Sequence, residues 1–303
     1  MHVIPTWYTN TFVGAGNMQT LTLDAATPFS ADATLSCGQC FRWKKTDGWW
    51  YGVAGGTAIR LRQEGPVLWY EGCTERFLRH YLALDFSLPE MYAAINADDT
   101  IDRAILNHTG LRILCQDPWE CLVSFLCSQN TQIPNITRMV ENIAALAGGI
   151  KTEDTAACTA SFPSPEELAT CSCDEIRACR TGYRAGYLQQ AANYCAENPD
   201  WTDSICALPY REARAKLLKF HGVGRKVADC VLLFGFEKYE AFPVDVWMKE
   251  IMQRCYGTCS TGKSLTPAAY DAIGDWARSY FGSYAGYAQE YLFASRNEIC
   301  KKE

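Results

Sequence analysis

The chain has 303 residues, 48% of them hydrophobic and 20% charged, which excludes a disordered or fibrous protein and leaves room for a sizeable core. Lys and Arg number 28 against 34 Asp and Glu, and the resulting net charge of −6 excludes a protein that finds nucleic acid by its global charge. A local basic patch stays open.

No Lys or Arg precedes Arg42, so the start of the chain lacks the positive segment of a secretory signal. Sixteen Cys without such a signal predict a reducing, intracellular setting with mostly free thiols, cytoplasmic in a prokaryote and nuclear in a eukaryote. The longest apolar run, Cys230 to Phe236, is far too short to span a bilayer, and no membrane partner is expected.

Residues 35–71 read as β-structure. Short aromatic and β-branched runs are punctuated by Thr46-Asp47-Gly48, Gly55-Gly56 and Glu64-Gly65-Pro66, which predicts a meander of antiparallel hairpins. From about Arg76 onward apolar residues recur at helical spacing, over 119–127, 136–147, 187–195, 212–220, 226–236, 246–255 and 269–295. The breakers between these segments are short, among them Gly148-Gly149, Gly182, Pro209 and Pro243. The fold class is therefore α+β, an N-terminal antiparallel sheet followed by a long all-helical remainder.

The most informative stretch is 211–252. A helix runs into His221-Gly222-Val223-Gly224, and a second begins near Arg225. Two glycines around a small apolar residue allow a tight reversal and present bare N–H groups at the second helix start, an anion site suited to a backbone phosphate. Between 211 and 226 stand six basic residues (Arg211, Arg214, Lys216, Lys219, Arg225, Lys226) against one acid, Glu212. Taken alone, the Gly-x-Gly fits an ordinary αα-turn with a solvated basic face equally well.

Lys226 falls in the first turn of that second helix, with Cys230 four residues later on the same face. Partial burial and the positive helix end both favour the neutral amine that a Schiff-base-forming lysine needs. A surface lysine whose stem covers apolar atoms is the plainer alternative. Next comes Phe242-Pro243-Val244-Asp245, where Pro243 stops any preceding helix and Asp245 is placed to N-cap helix 246–255. A carboxylate held there stays ionised and faces whatever lies across the cleft, and the capping and catalytic roles are compatible.

Gly222-Val223-Gly224, Lys226 to Cys230 and Pro243-Val244-Asp245 together resemble the helix–hairpin–helix DNA glycosylase superfamily, and within it the 8-oxoguanine DNA glycosylases. The resemblance extends through Cys37 to Trp43, read as a strand, Gln116 to Cys121, Cys127 to Asn130, Gly182 to Ala185 and Tyr284 to Phe293, in the family's order. It implies a sheet domain over 1–103 and a two-lobed helical domain over 104–303, with the helix–hairpin–helix at 211–236. The implied activity is a bifunctional glycosylase and lyase acting, as a monomer, on damaged double-stranded DNA by base flipping. The same resemblance implies catalytic roles for Lys226, as nucleophile on the sugar C1′, and for Asp245, as stabiliser of the positive sugar. Gly38, Cys230, Gln289 and Phe293 would hold the damaged base, with Gly38 supplying a carbonyl to the N7 hydrogen that guanine lacks. Asn130, Tyr183 and Arg184 would fill the gap and hold the partner base, and Gly222, Gly224 and Arg225 would meet the backbone.

Two positions depart from the family's pattern. Asn135 stands where an Arg usually reads the partner base, and Trp247 stands where eukaryotic members tend to carry a phosphate-binding His. The late cysteines Cys255, Cys259 and Cys300 do not make an iron–sulfur loop. Cys171, Cys173 and Cys179 and the pair Cys37 and Cys40 have no second pair or His at zinc spacing, so no metal and no cofactor are expected beyond a monovalent cation at the hairpin carbonyls. A non-catalytic helix–hairpin–helix module is disfavoured by the presence of both Lys226 and Asp245. A relative acting on another damaged base is disfavoured by Gly38, Gln289 and Phe293 together.

Overall fold

The computed structural model describes residues 18–24, 26–147, 160–258 and 264–301. Five strands form one antiparallel sheet: β1 (Gln19–Thr22), β2 (Trp43–Thr46), β3 (Trp49–Ala54), β4 (Thr57–Glu64) and β5 (Val67–Glu71), in the order β1-β5-β4-β3-β2. The three hairpins of the meander turn where the glycines stand. Thr46 pairs with Trp49 across Asp47-Gly48, and Ala54 with Thr57 across Gly55-Gly56, all four turn residues at positive φ as tight two-residue hairpins require. Glu64 pairs with Val67 across Gly65 and Pro66.

Two parts of the strand reading are corrected. Residues 31–36 form a short helix capped by Ser30, and the chain bends through Cys37 to Arg42 before β2 begins at Trp43, so the Gly38 segment is a turn and not a strand. Strand β1, which the pattern missed, pairs Leu21 with Leu68 of β5. It is four residues long and its partner lies far along the chain, so no local alternation marks it.

Alternate residues of β4 and β5, Ile59, Leu61, Leu68 and Tyr70, turn inward onto Leu35, Phe77, Leu78 and Leu114 and make a core of the sheet's own. The helices build a second, larger core. Its axis is the helix Pro118–Cys127, buried along nearly its whole length because it is apolar on all sides. Helix Arg225–Gly235 lies against it, with Phe125 and Phe234 stacked at 5.4 Å between ring centroids. The approach is close at Gly235, where an added Cβ would lie 3.1 Å from the Pro118 backbone.

The two cores are laced by buried polar groups. Arg112, fully buried, donates to the carbonyls of Pro28, Ala83 and Phe86. Gln39 donates to Thr34 O and Arg112 O, at 3.0 and 2.7 Å, and accepts from Leu114 N at 2.8 Å. With every bond of its amide engaged inside the protein, Gln39 fixes the turn that carries Gly38. No helix among the described residues is long and apolar enough to cross a membrane.

Candidate active site

The hairpin forms as its sequence dictates, between helix Tyr210–Leu217 and helix Arg225–Gly235. Gly222 sits at φ +83, and a Cβ there would lie 2.4 Å from the Tyr187 ring, so two independent constraints demand glycine. Its carbonyl accepts from Gln129 Nε2 at 3.1 Å, tying the hairpin to the turn after the central helix. Gly224 occupies the N-cap position in extended conformation, and a Cβ there would meet open space. We expect Gly222→Ala to lower stability by about 1–3 kcal/mol, the cost of a strained backbone position, whereas Gly224→Ala should cost less than about 1 kcal/mol. Urea unfolding of both variants checks this, and equal costs would contradict it.

A cleft of about 1000 Å³ opens beside the hairpin. Lys226, Asp245, Gly38 and Phe293 line it, together with Asn130, Tyr183, Gly224 and Arg225. Lys226 Nζ donates to Ser128 Oγ at 3.2 Å and stands 4.9 Å from the Phe125 ring centroid. The residue is half-buried. Asp245 caps helix Val246–Tyr256 as expected, accepting from Met248 N at 2.8 Å. One carboxylate oxygen is thereby fixed by the helix start, in a residue that lines the cleft.

Asp245 has a support that sequence reasoning missed. Tyr270 OH accepts from the N–H of Val244, the preceding residue, at 3.3 Å and donates to Asp229 Oδ2 at 2.6 Å. Asp229 is buried in the hairpin's second helix and also accepts from Tyr210 OH and Arg214 Nε, both at 2.8 Å. A network anchored in the helix of Lys226 therefore fixes the loop that presents Asp245.

Gly38 takes φ +105, and a Cβ on it would lie 3.5 Å from Ile133 Cδ1 and 3.6 Å from Phe293 Cε1. Gln289 and Phe293 share helix Ala285–Ala294. Phe293 stacks under the Arg296 guanidinium at 4.2 Å. Gln289 is 5% exposed and lies behind the cleft wall, and its Oε1 has no hydrogen-bond partner among the described residues. An unpaired buried acceptor is costly to keep, and such atoms mark ligand sites. Cys230 is also buried behind the wall; desolvation pushes its thiol up to about 12, with the Lys226 amine beside it opposing. Next to Gln289, and unforeseen from the sequence, Glu290 is buried as well. Desolvation pushes its carboxyl up to about 7, against a hydrogen bond from Cys37.

Tyr183 stands at the cleft rim, 55% exposed despite being a large aromatic. Arg184 is buried beneath it, 4.6 Å from its ring, and donates to Thr181 O and to Gln129 O. It thereby braces the turn that places Asn130, which is exposed at φ +47. Asn135 is exposed, and its side chain donates to Thr131 Oγ1 at 3.4 Å. Val246, 77% exposed, lines the cleft, and the next residue, Trp247, is 39% exposed.

The basic character of the hairpin is smaller than its sequence window suggests. Asp271 and Asp275 of helix Pro267–Phe281 pair with Arg225 at 2.9 Å, Arg214 at 3.1 Å and Arg211 at 3.1 Å, and Asp229 takes Arg214 as well. Three of the six cations are thus compensated by acids that stand outside 211–226 or inside the following helix. Lys216, Lys219 and Lys226 have no carboxylate partner among the described residues.

Comparison with known proteins agrees with this architecture. The family described as 8-oxoguanine DNA glycosylase, N-terminal domain, matches residues 21–122, and the HhH-GPD superfamily of base excision DNA repair proteins matches residues 123–270. An N-glycosylase/DNA lyase of Arabidopsis thaliana is 34% identical over 283 residues, covering 88% of this chain and 77% of its own. A probable N-glycosylase/DNA lyase of Methanothermobacter thermautotrophicus is 33% identical over 263 residues, covering 78% of this chain and 81% of its own. The 8-oxoguanine glycosylase/lyase of Clostridium acetobutylicum, solved with double-stranded DNA containing cytosine opposite 8-oxoguanine, superimposes with a TM-score of 0.82 at 30% identity, covering 93% of this chain and 98% of that one. With residues 21–270 matched by the two family models and 88% of its length by a relative 34% identical to it, this chain belongs to the 8-oxoguanine DNA glycosylases of the helix–hairpin–helix superfamily.

Proposed function

We propose that the enzyme excises 8-oxoguanine from duplex DNA and then nicks the strand, by base flipping followed by attack of Lys226. The observation that carries this reading is the convergence of Lys226, Asp245, Gly38 and Phe293 on one cleft beside the hairpin. A stacked base is out of reach of any side chain, so the nucleotide must leave the duplex, with Tyr183 filling the gap. The Lys226 amine bonds to C1′ as the bond to the base breaks. The Asp245 carboxylate stabilises positive charge on the sugar as it develops. Ring opening leaves an imine on Lys226; loss of a C2′ proton then expels the 3′ phosphate, and water releases the lysine.

Discrimination from guanine rests on one hydrogen. The Gly38 carbonyl accepts the N7–H of the oxidised base and repels the lone pair guanine carries there, and the turn held by Gln39 sets its position. The unpartnered Gln289 Oε1 takes a donor on the Watson–Crick edge. Phe293 and Cys230 close the two faces of the base. Lys216, Lys219 and the open N–H groups after Gly224 meet phosphates, and Arg225 contributes only by exchanging Asp271 for one. The reaction needs no cofactor; a monovalent cation on the hairpin carbonyls, a monomeric state and an intracellular location belong to the same proposal.

Single-turnover excision from duplexes containing 8-oxoguanine or guanine opposite each of the four bases tests this reading. Cleavage restricted to 8-oxoguanine and undiminished in excess EDTA is expected; equal cleavage of guanine would overturn it. The same series reports on Asn135. A bidentate Arg contact to a base discriminates by about 1–3 kcal/mol, and a neutral amide here leaves a weaker preference for cytosine. Asn135→Arg should sharpen that preference about five- to hundredfold; an unchanged ratio would mean that other residues read the partner base.

A further inference from the structure

Away from the cleft, His80, Cys115 and Glu237 bring an imidazole nitrogen, a thiol sulfur and a carboxylate oxygen within 4.8 Å of one another. None of the three lines the reaction cleft. We propose that these side chains form a zinc site that fastens the sheet domain to the end of the hairpin's second helix.

The three come from separate parts of the chain: His80 from the last turn of helix Glu75–Tyr81, Cys115 from the segment crossing between the cores, and Glu237 from just beyond helix Arg225–Gly235. Main-chain hydrogen bonds hold them in place. Cys115 N donates to Tyr81 O at 3.0 Å, next to His80, and Gln116 N donates to Phe234 O at 3.0 Å, three residues before Glu237. The three segments are thus tied to one another by backbone, which limits what must be ordered when an ion binds.

A mixed N, S and O set is borderline-soft, which suits zinc and is wrong for calcium or magnesium. Tetrahedral zinc holds such ligands roughly 3.5 Å apart, so a small rotamer adjustment closes the site. A cavity of about 30 Å³, bordered by His80 and Cys115 but not by Glu237, adjoins it and has room for a water. His80 and Cys115 are half-buried and Glu237 is exposed, so the ion has an entry path and a fourth position for water. Binding deprotonates the Cys115 thiol and releases that proton to water, with no change of oxidation state.

The test uses the full chain, reduced and freed of metal, titrated with Co²⁺ as a spectroscopic probe and then with Zn²⁺. A thiolate-to-cobalt charge-transfer band and tetrahedral visible bands should appear at one equivalent and be displaced by zinc, and zinc should raise Tm. Cys115→Ser should abolish the charge-transfer band. His80→Ala and the exposed Glu237→Gln should each weaken cobalt binding by roughly tenfold or more. A band that survives Cys115→Ser, or one lost only in Cys173→Ser, overturns the site, as does full affinity in Glu237→Gln. Excision should proceed at the same rate in Glu237→Gln, so this proposal and the reaction at Lys226 fail or stand separately.

Discussion

Lys226→Gln should yield no covalent adduct when the enzyme is incubated with 8-oxoguanine duplex and borohydride, whereas the wild-type chain should be trapped on the DNA. An amide cannot form an imine, so the experiment reads the bond itself and not a rate that depends on it. The substitution keeps a polar group that can still reach Ser128, the present partner of Nζ at 3.2 Å, and it leaves the hairpin's own determinants in place. Duplex affinity should therefore change by less than about tenfold, the loss of one phosphate-range charge. Single-turnover excision should fall by on the order of 10³-fold or more, because loss of a nucleophile disables the catalytic unit as a whole. An undiminished adduct would move the imine to another amine, and the half-buried Lys216 and the exposed Lys219 would be the next to replace.

The second large effect is expected at Asp245, where cap and charge can be separated. Asp245→Asn retains an oxygen that can accept from Met248 N, and Asn caps a helix about as well as Asp, so stability should change by less than about 0.5 kcal/mol. The negative charge facing the cleft is lost. Removing one preorganised electrostatic group from a transition state costs about 10²–10³-fold in rate, equivalent to about 2.7–4 kcal/mol. Asp245→Ala should add the loss of the cap, about 1 kcal/mol in urea unfolding, without a matching further loss of rate. If Asn restores the excision rate while Ala does not, the residue is a cap only. If both lose the rate and only Ala loses stability, the charge participates in the reaction.

What could be read from the sequence was what neighbouring residues decide among themselves. The meander's turns follow from Asp47-Gly48 and Gly55-Gly56, since positive φ is affordable to few residues. The cap at Asp245 follows from a carboxylate after Pro243 at a helix start, and the hairpin from two glycines between periodic segments. The resemblance then supplied roles for these positions, and the cleft brings Lys226, Asp245, Gly38 and Phe293 together.

The rest required the tertiary structure, because it depends on groups far apart in sequence. Strand β1 exists only by pairing with β5, and the turn at Gly38 is held by Gln39 through bonds to Thr34, Arg112 and Leu114, two of which lie across the chain. A six-to-one excess of cations in one window said nothing of Asp271 and Asp275, which fold over the hairpin from a later helix and pair with three of those six cations. Gly222 looked like a turn residue, and only packing showed that Tyr187 occupies the place of its side chain. The support of Asp245 by Tyr270 and Asp229, and the meeting of His80, Cys115 and Glu237, arise from helices docking side by side. Backbone propensity acts over a few residues and leaves its mark in local composition. Charge compensation, excluded volume and shared ligands act through space, and only the folded chain sets those distances.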